Sequence, residues 1–353
     1  MEYSWLENKL QEINRKCIQI NNKKSNNDSL NMIIGKLIDV MKDTSVLFKT
    51  LYERIIFNGS YYNNLKISKA DEYDLDLILV LPVALETVLM LTPEAGYVDV
   101  KIDISKIKKL AYYRDILTPL EKLCENGIFS SLKIHSWFEG LVQKSLNIIN
   151  ASKYFPQYKL DMYKSGPAVT LTVHTPFSSY DMDLVPCLKL DKSLYPKGYK
   201  KQNCNHIYAV SKPNKDKEWR LSFIEQELSI LRDNGHVKPA IRLLKFLRDQ
   251  RDHKLIKSYF IVTVAMWDLE TTNFNGKSLS FAFMTLLESL YKHICERKIP
   301  FYWNPNLNLL NKCHRDYLFN LENQLLNILK KLRSSNSNPN VLNEVFNFDI
   351  QES

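Results

Sequence analysis

Glu72 and Asp74 stand two residues apart at the entrance to an apolar run, DLDLILVL, and a third acid, Asp183, opens a second run, DLVPCL. In an extended strand, residues two apart project from the same face, so Glu72 and Asp74 present neighbouring carboxylates. Such a pair repels itself unless cations neutralise it, and hard oxygen ligands suit Mg²⁺ or Mn²⁺. Asp76 continues the same face behind them. Three carboxylates on adjacent strands can hold two ions, one at an attacking hydroxyl and one at a leaving pyrophosphate, which is the chemistry of nucleotidyl transfer. Upstream stands Gly59-Ser60, with eleven residues between Ser60 and Glu72. There glycine lets the backbone approach a phosphate, and Ser60 offers a hydroxyl and an amide N–H. Singly, a Gly-Ser pair is usually a turn and an E-x-D usually a solvated strand edge. An acid pair feeding straight into a buried strand is costly without a ligand, and the combination points to a nucleotidyltransferase.

These residues need a sheet to carry them. Period-two patterns predict strands over 74–81, 97–102, 168–174 and 182–188, in a mixed or antiparallel sheet backed by helices around 105–150. Residues 4–58 carry apolar positions at helical spacing (Met32, Ile33, Leu37, Ile38, Met41, Leu47, Leu51, Ile55), broken by the polar stretch Asn21–Ser29. From 222 onward the pattern is helical again, over 222–233, 239–251, 256–269, 278–297 and 307–332. The expected fold is α+β and bilobal: spine helices over 1–58, a catalytic core over 59–205, a helical lobe over 206–333 and a polar tail over 334–353. Within that tail, 341–348 is apolar enough to dock back.

Composition narrows the class. The 353 residues are ordinary globular material, 45% hydrophobic and 25% charged, and only nine are glycine. Neither G-x-x-x-x-G-K-[ST] nor G-x-G-x-x-G occurs. No run is apolar and long enough to span a bilayer, and the N-terminus is not a secretory signal. Six cysteines are scattered without a C-x-x-C pair, and Cys204-x-His206 has no second pair to complete a zinc site. Free thiols in a reducing compartment, cytoplasmic or nuclear, are expected. The net charge of +9 favours polyanionic partners.

From about residue 45 to 315 the chain resembles the cyclic GMP-AMP synthase-like receptors, the animal family that includes vertebrate cyclic GMP-AMP synthase. Gly59-Ser60 and Glu72-Tyr73-Asp74 match its phosphate-binding turn and first two metal ligands. SGPAVTL (165–171) resembles the strand leading to the third, at Asp183, and WRLSF (219–223), LKFL (244–247) and KSY (257–259) match further segments. The resemblance implies Lys245 and Ser258 on a donor triphosphate, Tyr259 stacked on a base and Arg220 on a nucleobase. Ser222 and Glu225 follow as pocket residues, in a stretch two residues shorter than the family's after Phe223. It implies two Mg²⁺ or Mn²⁺ ions per site and a cyclic dinucleotide made from ATP and GTP. Between the first two helices of the helical lobe stands only NGHVKP (234–239), without the zinc-binding insertion of the vertebrate enzyme. No zinc is therefore expected, and the chain is closer to insect-type receptors that respond to double-stranded RNA, with ligand-induced dimerisation a further implication. A linear-oligonucleotide synthase, or a non-catalytic scaffold of the same fold, are the alternatives.

Eight lysines lie between 189 and 217, against two aspartates. Lys197, Lys200, Lys201, Lys212 and Lys215 are the candidates to track a phosphate backbone, read by shape rather than base sequence. Lys101, Lys106, Lys108 and Lys109 form a second cluster.

Overall fold

The computed structural model describes residues 3–18, 23–67, 72–82, 87–92, 96–165, 168–176, 178–201, 206–211, 218–335 and 338–347. Lys212 and Lys215 lie outside these residues, as does Cys204.

The chain opens with α1 (Glu7–Ile13), a π-helical turn (Asn14–Ile18), α2 (Lys23–Thr44) and α3 (Val46–Leu51). In α2, Leu30, Ile33, Ile34, Leu37, Ile38 and Met41 are buried, the i, i+3, i+4, i+7 stripe of a helix lying on a core. The helix over 4–58 expected from sequence ends at Leu51. Residues Tyr52–Asn58 form strand β1 instead. Ile55, Ile56 and Phe57 are β-branched or aromatic and fit a pleated surface better than a helix, and pairing with the next strand decides the matter.

A four-residue helix, α4 (Gly59–Tyr62), leads to β2 (Glu72–Val80), β3 (Thr87–Leu91) and β4 (Tyr97–Ile102). Helices α5 (Ile104–Ile107), α6 (Arg114–Lys122) and α7 (Ser131–Ala151) follow, with the small hairpin β5 (Cys124–Glu125) and β6 (Ile128–Phe129) between the last two. The sheet is completed by β7 (Lys159–Ser165), β8 (Ala168–His174), β9 (Ser179–Asp191), β10 (His206–Ser211) and β11 (Trp219–Ser222). These strands make one mixed sheet in the order β1-β2-β9-β10-β11-β4-β6-β5, with β3 on β4 and β7–β8 on β9. Among the described residues only β2 and β9 run parallel.

That sheet is two-faced along β2. Tyr73, Leu75, Leu77 and Leu79 point into the main core with α2 and α7, whereas Glu72, Asp74 and Asp76 share the other face with Ile78. There Ile78 joins Ile56, Cys187, Tyr208 and Ile224 in a second apolar cluster.

Past β11 the chain is helical: α8 (Ile224–Ile230), α9 (Val237–Gln250), α10 (Ser258–Thr271) and α11 (Leu279–Cys295). The helix expected from 307 starts only at Arg315, because Pro300–Phe301 and Asn304–Asn308 first make a hairpin, β12–β13. Then come α12 (Arg315–Ser334) and α13 (Val341–Phe346). The tail is not loose at α13. Phe346 stacks on Phe246 of α9, ring centroids 5.7 Å apart, and Arg251 donates to the carbonyl oxygens of Val345 and Glu344. At the other end, the Glu7 carboxylate accepts from the backbone N–H groups of Leu279 and Ser280, capping α11. Among the described residues no helix is long and apolar enough to cross a membrane.

Candidate active site

The parallel register of β2 and β9 sets Asp74 opposite Asp183, and the antiparallel register of β1 and β2 sets Asn58 opposite Asp74. Three strands thus deliver the turn and the acids to one place. One ligand oxygen from each of Glu72, Asp74 and Asp183 lies within 4.8 Å of the other two. Burial, reinforced by repulsion from Glu72 and Asp183, pushes the Asp74 carboxyl up to about 6, with Lys66 opposing. Lys66 Nζ is 3.7 Å from Glu72 Oε2. A half-buried cluster of three acids with one nearby ammonium is short of positive charge. That donor set fits divalent cations.

Gly59 has φ +76, and a Cβ there would fall 1.7 Å from Asp74 Oδ2. Only glycine lets the turn lie against the carboxylate. Asn58 holds both sides of this junction, accepting from the Gly59 N–H and donating to Asp76 Oδ2 at 2.8 Å.

Between the lobes runs a cleft of about 400 Å³. The catalytic lobe lines it with Asn58, Gly59, Ser60, Asp74 and Asp76, and β11 adds Arg220 and Ser222. Trp219 fixes β11 from behind: its indole N–H donates 2.7 Å to the Phe129 carbonyl and its ring stacks on Phe129. From the helical lobe come Glu227, Lys245, Ser258 and Tyr259. Lys245 is 4% exposed, its Nζ donates 2.6 Å to the Leu65 carbonyl, and burial lowers its pKa to about 8. Ser258 Oγ accepts from Arg248, and the Tyr259 hydroxyl donates to Glu227 Oε1 at 2.7 Å. Glu227 also accepts from Trp303 Nε1, and burial pushes its carboxyl up.

Residues 61–233 match the Mab-21 protein nucleotidyltransferase domain, and residues 236–327 match the Mab-21 protein HhH/H2TH-like domain. A cyclic GMP-AMP synthase-like receptor of Aethina tumida is 34% identical over 364 residues, which cover 97% of this chain and 91% of the relative. This chain belongs to that family. A receptor of the same description from Tribolium castaneum is 30% identical over 94% of this chain and 90% of its own length. The chain is therefore a nucleotidyltransferase of the Mab-21 group, an α+β catalytic domain followed by a helical one.

Within this family member, Gly59, Ser60, Arg220, Ser222, Lys245, Ser258 and Tyr259 all line the cleft that Asp74 opens onto. Glu225 does not. It faces away, its carboxylate bound by Arg54 at 2.5 Å and by His206 at 2.6 Å. Glu227 occupies the cleft wall instead, one half-turn further along α8. The run IEQEL (224–228) puts two acids two apart, and only the helix phase distinguishes them. Asn58 and Thr170 were also not singled out by sequence; each is visible only as the residue across the strand from an acid.

The lysine-rich segment divides. Lys197 and Lys201 are exposed. Lys200 is held: its ammonium pairs with Glu270 at 2.6 Å and lies over the rings of Trp267 and Tyr302, 3.8 and 4.3 Å from their centroids. Lys189 pairs with Glu53, and in the second cluster Lys108 pairs with Glu121.

Proposed function

We propose that this family member is a cytoplasmic sensor that joins ATP and GTP into a cyclic dinucleotide when double-stranded RNA binds it. One observation carries the reading: the acid triad adjoins a cleft whose far wall presents a buried lysine, a serine and a tyrosine from the helical lobe. Glu72, Asp74 and Asp183 would hold two Mg²⁺ or Mn²⁺ ions, which would neutralise charge at the attacking hydroxyl and the leaving pyrophosphate. The protein's own residues position the reactants. Ser60 and Lys245, which both line the cleft, would grip the donor triphosphate, Ser258 would add a hydroxyl, Tyr259 would offer a ring face to a base, and Arg220 with Glu227 would offer a donor and an acceptor to base edges. A ribose hydroxyl then attacks the α-phosphorus, its proton passing to solvent; the bond to pyrophosphate breaks as the new P–O bond forms. The linear intermediate turns over, and a second identical displacement closes the ring. No covalent protein nucleophile is needed, since orientation and charge neutralisation supply the rate.

The family supports cyclic product, and the net charge of +9 with exposed Lys197 and Lys201 supports a polyanionic activator, on which two copies would assemble. The test is to incubate the protein with four nucleotides and Mg²⁺ or Mn²⁺, with double-stranded RNA, DNA or neither, and identify products by mass spectrometry. Phosphatase-resistant cyclic product formed only with RNA, and lost in Asp183→Asn, is the expected result. Phosphatase-sensitive linear product would point to an oligonucleotide synthase, and activation by DNA alone would overturn the RNA assignment.

A further inference from the structure

Strand β8 lies on the opposite side of β9 from β2, and its antiparallel register brings Thr170 directly across from Asp183. Thr170 is 6% exposed, between buried Val169 and Leu171. Its hydroxyl donates to Asp183 Oδ1 at 2.5 Å. A hydroxyl has one proton to give, and a buried one has no water to give it to instead. The bond fixes the rotation of the Asp183 carboxylate and leaves the other oxygen, with a spare lone pair on the first, for a cation. The β-branched Thr170 side chain is itself stiff about χ1, so both ends of the bond are held.

One row along, the same pairing recurs with a different outcome. Thr172 donates to Asp181 at 2.6 Å, and Asp181 stands opposite Glu72. Asp181 is not in the acid triad. The two rows share strands, face and chemistry, and differ in that only Asp183 belongs to the group of three acids whose oxygens lie within 4.8 Å of one another.

We propose that Thr170 is a positioning residue for the metal site: it sets the Asp183 carboxylate in the orientation that completes the triad, whereas Thr172 does not contribute. This rests on the triad being a divalent-cation site. Partners that orient ligating carboxylates typically contribute about 10- to 100-fold in metal affinity.

Mn²⁺ titrated into the full-length chain without nucleotide, with free aqueous ion read by electron paramagnetic resonance, tests this independently of turnover. Thr170→Val keeps the shape and removes the hydroxyl, and is expected to weaken Mn²⁺ binding by about 10-fold or more. Thr170→Ser restores a donor and should recover most of that affinity, while Thr172→Val should match the wild type. If Thr170→Val melts too low to titrate, Thr170→Ala is read against Thr170→Ser in the same way. Wild-type affinity in a folded Thr170→Val, or an equal loss in Thr172→Val, overturns the proposal. A wild-type chain that binds no Mn²⁺ overturns the metal reading itself, and the proposal with it.

Discussion

Burial moves Asp74 and Lys245 toward neutral pH in the cleft, and each makes a pH-dependent prediction. The folded-state pKa of Asp74 is raised to about 6, so the empty site takes up a proton as pH falls through that value. A cation competes with that proton. Mn²⁺ affinity is therefore expected to hold above pH 6 and to fall by about tenfold per unit below it, measured by titration between pH 5 and 8. Lys245 is shifted the other way, to about 8 from an ordinary 10.5. Below pH 8 it is a buried ammonium that attracts a triphosphate; above pH 8 that attraction is lost. Between 8 and 10.5 the unfolded chain holds a proton that the folded chain has released, so this group makes stability rise with pH in that window. Lys245→Met should then stabilise the empty protein at pH 7 by about 1–3 kcal/mol while weakening ATP binding at least tenfold. Thermal melting and equilibrium binding of ATP check the two halves separately.

At the scale of elements, the site rests on register. That Glu72 and Asp74 share a face of β2 can be read directly from the alternation in DLDLILVL, whereas Asp183 is marked by its place at the edge of the run DLVPCL and by the family resemblance. That β2 and β9 run parallel, with Asp74 opposite Asp183, is pairing information that no single segment contains. Local pattern suits a helix at 52–58, where pairing with β2 makes a strand; at Glu225 the residue-by-residue resemblance points to the cleft, and helix phase turns that acid out of it. The tail was ambiguous for a related reason: six apolar-rich residues are too few to show a period, and docking depends on the surface of α9. Phe346 is 1% exposed between Phe246 and Phe283, so Phe346→Ala should lower stability by about 3–5 kcal/mol. Denaturant titration measures this, and an unchanged midpoint would mean α13 is not seated there.

For the molecule as a whole, charge and architecture point in one direction. Lys197 and Lys201 are exposed, whereas Lys200 joins Glu270, Trp267 and Tyr302. Lys197→Glu with Lys201→Glu is expected to leave melting unchanged and to weaken double-stranded RNA binding several-fold, more steeply at low salt. Lys200→Glu should lower the melting temperature first, so its effect on RNA cannot be assigned to contact. Filter binding at two salt concentrations, beside a melting curve, separates the cases.

The cap that Glu7 places on α11 spans 272 positions of sequence. Arg242 of α9 reaches back in the same way, to Asn14. The helical lobe is thus tied to segments on both sides of the large sheet in sequence: residues 7 and 14 precede β1–β11, and their partners at 242 and 279–280 follow them. Residues 7 and 14 are made before the strands and their partners after them, so these ties, and the half of the cleft bearing Lys245 and Tyr259, can form only once the half bearing the acids has been made.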